Sequence, residues 1–135
     1  MGVKMYIKIF NSNDISLTLY KKIFKVSHDI NFSVNSIGYT VPEGMETDLG
    51  SIPIPFRNVF SRFGENTLAY IIHDFGYRVQ PKNTDRKFWD DVLFELMKKE
   101  KSFRIKRFFI YRSLRLFGYK AWNKNKEKLK GDLFE

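Results

Sequence analysis

Between Val41 and Pro53 the periodicity of the chain changes, and that change divides it into two unlike halves. Ahead of the break apolar residues tend to alternate: Tyr6, Ile7, Ile9 and Phe10, then Leu17, Leu19, Ile23 and Phe24, then Ile30, Phe32, Val34 and Ile37 to Val41. Alternation suits strands with one buried face, and three or four short strands in an antiparallel meander account for it. Asn11-Ser12-Asn13-Asp14 and Ser27-His28-Asp29 supply turns, because Asn, Ser and Asp side chains bond their own backbone. Beyond Pro55 the apolar spacing becomes helical. A short helix is expected over residues 55–63, ended by Gly64, and a second from Glu65 or Asn66 to about Arg78, with Leu68, Ile71, Ile72 and Phe75 inward. Asn83-Thr84-Asp85 caps a third, whose stripe is Phe88, Val92, Leu93, Leu96 and Met97. Ser102 caps a fourth running to about Phe117, and Gly118 separates it from a last helix, Tyr119 to about Lys130. The fold class that follows is α+β, a small N-terminal antiparallel β-sheet packed against a C-terminal group of four to five helices. At 135 residues the chain reads as one domain: strands over 1–41, a motif loop at 42–53, helices over 54–130 and a tail at 131–135.

The break itself carries Pro42, Gly44, Gly50 and Pro53 together with Glu43, Glu46 and Asp48, a composition suited to a rigid exposed connection. Such loops are frequent sites of function, and Asp48 and Ser51 form the first half of a candidate site. The second half is His73-Asp74, polar residues on an otherwise apolar helix, where Tyr70 and Tyr77 share a face with them and Arg78 is spaced to pair with Asp74. Asp85 starts the following helix, where the backbone dipole favours a carboxylate. Convergence of Asp48, His73, Asp74 and Asp85 would suit acid/base catalysis or a divalent metal ion, a cofactor the sequence leaves open. Taken singly, each has a plainer role: Asp85 as a helix cap, His73 as a core histidine, Asp48 and Ser51 as turn formers.

The chain has no cysteine, which excludes disulfides, thiolate metal sites and a cysteine nucleophile. No segment approaches the roughly 18–20 apolar residues of a membrane span, so a cytoplasmic protein without a membrane partner is expected. A formal net charge of +9 favours an anionic partner, nucleic acid before others. On a helix, Arg104, Arg107, Tyr111 and Arg115 fall on one face, which suits phosphates and unpaired bases; Phe108, at its border, is assigned to the core. Lys120, Lys124, Lys126, Lys128 and Lys130 extend the positive charge, as lysine-rich soluble surfaces commonly do.

Several pieces in order resemble one family. They are Val41-Pro42-x-Gly44-x-x-Thr47-Asp48-Leu49-x-Ser51-Ile52-Pro53, His73-Asp74-x-x-Tyr77, Asp85-Arg86-x-Phe88, and Leu114-Arg115-Leu116-Phe117-Gly118-x-x-Ala121-Trp122. From about Phe32 to Trp122 the chain is similar to the phage and prophage family called domain of unknown function 1353. On that resemblance Thr47, Asp48, Ser51, His73, Asp74 and Asp85 fall on the motif positions that look functional. The chain departs from the family in having Gly50 and Thr84 where Ala is frequent, Ile54 in place of Arg, and Gly76 in place of a bulky residue. The resemblance implies a viral or prophage origin and assigns no activity.

The leading expectation is a phage-encoded nuclease acting on RNA ahead of DNA, in the cytoplasm of the bacterial host, with catalytic residues Asp48, Ser51, His73, Asp74 and Asp85. Destroying a host transcript would serve counter-defence, CRISPR systems included. Two alternatives are a non-catalytic protein that binds a host complex or nucleic acid, and a metal-dependent hydrolase in phage lysis.

Overall fold

The structure is a computed structural model and describes residues 5–10, 17–20, 23–47, 67–99 and 104–134. Asp48, Ser51, the turn Asn11 to Asp14, the expected helix at 55–63 and the Ser102 cap lie outside the described residues. Among the described residues six strands precede four helices: β1 (Ile7–Ile9), β2 (Leu17–Tyr20), β3 (Ile23–Val26), β4 (Ile30–Val34), β5 (Ile37–Val41), β6 (Glu46–Thr47), α1 (Thr67–Val79), α2 (Arg86–Lys99), α3 (Arg104–Phe117) and α4 (Tyr119–Phe134). The arrangement is α+β, with the antiparallel strands N-terminal and the helices C-terminal.

The strands are not a simple meander. They form two three-stranded sheets, ordered β1-β4-β5 and β2-β3-β6, because β1 skips the β2-β3 hairpin and pairs with β4, Ile7 opposite Val34 and Ile9 opposite Phe32. The β4-β5 hairpin turns on Asn35 and Ser36, both at positive φ (50° and 71°), the conformation a tight two-residue turn needs to match strand twist. Asn35 then ties β1 in: its N–H donates to the Tyr6 carbonyl, and its Oδ1 accepts from the Tyr6 N–H. Part of the expected motif loop is also strand, since Glu46 and Thr47 pair with Lys25 and Phe24 of β3.

Sheet and helices meet across an aromatic cluster. Phe32 of β4 stacks on Tyr39 of β5 at 5.4 Å and meets Phe75 of α1 and Trp89 of α2 edge-on. Trp89 is fully buried and can lie against α1 only because residue 76 is glycine; a Cβ built there would come within 2.1 Å of the indole ring. The remaining core is mainly aliphatic, Ile71, Ile72, Leu93, Leu96, Met97 and Ile110 among its members, with Tyr70 and Tyr77 also buried in it.

The helix ends follow their local chemistry. Asp85 Oδ1 accepts the Phe88 N–H at 2.8 Å and so caps α2. At the end of α1, Gln80 takes a positive φ of 49°; its side-chain amide donates to the carbonyls of Tyr77 and Trp122, fastening α1 to α4. Arg86 donates to the carbonyls of Leu114 and Arg115 at the end of α3, where the Leu114 carbonyl also accepts the Gly118 N–H. Gly118 joins α3 to α4 where a Cβ would collide with the Tyr77 hydroxyl and the Leu114 carbonyl.

Candidate functional site

Two consecutive residues of α1 face different neighbours, as a rotation of about 100° per residue requires. His73 is directed at α2, where its Nε2 lies 2.8 Å from Asp90 Oδ1. Asp74 is directed at β6, where its Oδ2 accepts the Thr47 hydroxyl at 2.5 Å; its Oδ1 lies 3.7 Å from Arg78 Nε, the pair expected from their spacing. The Thr47–Asp74 bond is buried and joins two motif pieces 27 residues apart. It sets the residue preceding Asp48 against the residue following His73.

Asp90 is the centre of the network. It has no exposed surface, and its oxygens take four neighbours: Oδ1 accepts from His73 and from the Tyr77 hydroxyl at 2.7 Å, Oδ2 accepts from Arg115 Nη1 at 2.7 Å, and Arg86 Nη1 stands 3.6 Å away. Burial by itself would raise this carboxyl's pKa. The hydrogen bond and charge of His73, with the Tyr77 and Arg115 hydrogen bonds, outweigh it and hold the group below the usual aspartate value. An ionised Asp90 only accepts hydrogen bonds, so Nε2 of His73 must carry the proton and Nδ1 is the nitrogen left to exchange one. The Tyr77 ring lies 4.3 Å from the imidazole and packs edge-on to Trp122 of α4, while burial and Asp90 push its hydroxyl pKa well up, keeping it a donor. The next carboxylate, Asp91, repeats the pattern: Lys87 Nζ and the Tyr111 hydroxyl each stand 2.7 Å from it, and burial with the Asp91 contact pushes the Tyr111 pKa up to about 12.

The sign of the Asp90 effect is definite. A carboxyl whose folded pKa is depressed stabilises the fold at all pH values above its unfolded pKa, and that contribution disappears as pH falls through the lower folded value. Thermal unfolding followed from pH 7 downward should therefore show no loss from this group until the ordinary aspartate range is passed. The loss below that range should be absent from Asp90→Asn.

Of the expected site residues, His73 and Asp74 are adjacent with separate partners, while Asp85 is exposed and occupied as the α2 cap. Among the described residues no group of three or more His, Asp or Glu side chains is placed to hold a metal ion. The expected α3 face is turned largely inward: Tyr111 meets Asp91, Arg115 meets Asp90, and the Arg107 guanidinium lies 5.9 Å over the Phe94 ring, leaving Arg104 exposed. Phe108, assigned to the core by sequence, is 38% exposed with the Arg112 guanidinium 5.4 Å over its ring, because α3 presents its other side to α2. Sequence reasoning missed Asp90 and Asp91. Their signal was two carboxylates inside the apolar run Phe88 to Phe94, each with a cation four residues earlier at Arg86 or Lys87.

Residues 24–114 match the family described as protein of unknown function (DUF1353). The chain is a member of that family. The match ends at Leu114 and so leaves out all but the first residue of the Leu114 to Trp122 piece of the resemblance. No curated protein and no solved structure gives a significant match. Among the described residues, no helix is long and apolar enough to cross a membrane.

Proposed function

We propose that the protein is a nuclease acting on single-stranded RNA, with His73 as its proton-transfer group. The observation that carries this reading is the imidazole itself. Its Nε2 is fixed by an ionised buried carboxylate, 11% of its side-chain surface remains open, and its neighbour Asp74 receives Thr47 at the start of the motif segment. A histidine held in one tautomer by a carboxylate is suited to proton transfer near neutral pH. In this scheme Nδ1 takes the proton of the hydroxyl that attacks phosphorus. The new P–O bond forms as the bond to the leaving oxygen breaks, and the proton is returned to that oxygen. Cationic side chains balance the charge gathering on the phosphoryl oxygens. Net charge of +9 supports a polyanionic substrate, and RNA is favoured because a small basic protein reaches unpaired strands most readily. In a phage, working in the cytoplasm of its bacterial host, such an enzyme would act in counter-defence by destroying a host transcript.

One observation favours a non-catalytic alternative. Asp90 joins α1, α2 and α3 through four neighbours, so the same network also serves as scaffold for a protein that binds nucleic acid without cutting it.

Labelled single-stranded RNA and DNA, incubated with and without divalent cations, separate the two. His73→Gln keeps a donor towards Asp90, and is expected to lower RNA cleavage about 100-fold with little change in melting temperature. Wild-type protein that binds RNA in a salt-dependent way and leaves it uncut would establish the binding reading instead.

A further inference from the structure

On the expected α3 face Arg115 is committed to Asp90 and Arg107 lies over Phe94, which leaves Arg104 alone exposed there, and a closer group of accessible cations lies elsewhere. A cleft of about 500 Å³ opens between α1 and α4, lined by Asp74, Arg78, Ala121, Lys124, Asn125 and Lys128. The α4 contributors recur at three, four and seven residues, so they form a single stripe facing α1. Lys124 and Lys128 are exposed, and among the described residues neither has a carboxylate within ion-pair distance. Among the described residues the cleft's one carboxylate is Asp74, which already accepts the Thr47 hydroxyl and steers Arg78 from 3.7 Å. Three cations thus face one engaged carboxylate, with the Asn125 amide as a further donor. The walls are fixed relative to each other, since Gln80 donates to the Trp122 carbonyl and Trp122 packs on Tyr77.

We propose that this α1/α4 cleft, and not the α3 face, holds the phosphate backbone of single-stranded RNA. Lys124 and Lys128 stand one helical turn apart, about 6 Å along the axis, and so engage successive phosphates while Arg78 takes a third group from the opposite wall. A strand lying there passes Asp74, the residue that follows His73 on α1. This assignment rests on the RNA reading above and concerns binding alone, so binding can be tested apart from cleavage.

The test is anisotropy of a labelled poly-uridine oligonucleotide over a salt series, carried out in the His73→Gln background so that the probe stays intact. Lys124→Ala/Lys128→Ala is compared with Lys8→Ala/Lys82→Ala, which removes the same charge from exposed sites on β1 and in the α1–α2 connection. The cleft pair is expected to weaken binding about tenfold or more and to reduce the slope of log affinity against log salt by about 1.4, two single-strand phosphate contacts' worth. The control pair should leave the slope within about 0.3 of its starting value. Equal losses in both pairs, or an unchanged slope in the cleft pair, overturn the proposal. Cleft-dependent binding by a wild-type protein that never cuts RNA upholds this proposal and defeats the nuclease; cutting that ignores the cleft pair does the reverse.

Discussion

Asp90→Asn should be the most damaging single polar substitution in the network, lowering stability by about 3–5 kcal/mol, as removal of one partner from a buried ion pair does. Each Asp90 oxygen faces donors, His73 and Tyr77 on one side and Arg115 on the other, with Arg86 close by. An amide must turn its NH2 towards one of those sets, so it opposes donor to donor whichever way it is flipped. It also leaves the Arg115 guanidinium without the charge it met at 2.7 Å. At roughly 4 °C per kcal/mol for a chain of this size, the melting temperature should fall by roughly 12–20 °C. Urea or thermal unfolding followed by circular dichroism measures it. A shift under about 1 kcal/mol would mean that the helices are held together by their apolar contacts and that Asp90 is dispensable to the scaffold.

The second large effect is steric. Gly76→Leu is expected to cost more than about 3 kcal/mol, beyond the usual range for an overfilled core, because the new side chain must share space with Trp89. The indole cannot step aside: it is fully buried and lies 5.0 Å from the Phe88 ring, 5.4 Å from Tyr39 and 5.8 Å from Phe75, centre to centre. Residue 76 and Trp89 compete for the same space, so the two sites should exchange volume. Trp89→Leu introduced with Gly76→Leu should recover a large part of the loss, a coupling of roughly 1–3 kcal/mol in a double-mutant cycle. If the double variant is as unstable as the sum of the singles, the tight fit of Trp89 on Gly76 is not the constraint.

Much of the fold was legible because it is written locally. The Asp85 cap, the Gly118 break and the recurrence of Ile71, Ile72 and Phe75 fix helix ends and faces within a few residues of each other. What could not be read is non-local or runs against an average. The pairing of β1 with β4 depends on residues more than twenty positions apart, and no alternation pattern reports which strand is the neighbour. Asp90 and Asp91 were passed over because carboxylates are rarely enclosed unless paired, and the pairing groups Arg115 and Tyr111 sit on another helix. The same two carboxylates explain why the α3 face read as basic and exposed: its tyrosine and arginine are drawn inward by charges that a single-helix projection leaves out. Of the candidate site, the His73-Asp74 pair was visible as a polar interruption of an apolar helix, but the carboxylate that holds His73 was not.

The β1–β4 pairing also bears on how the chain is made. The β4-β5 hairpin closes on a two-residue turn and can form quickly by itself, yet alone it presents the bare edge of β4, a template for pairing with another chain. During synthesis from the N-terminus β1 has already emerged when β4 appears, so the strand that covers the edge precedes the edge it covers. A circular permutant that moved β1 to the far end of the chain would keep every native contact and lose that order of events, leaving the β4 edge open until synthesis was complete.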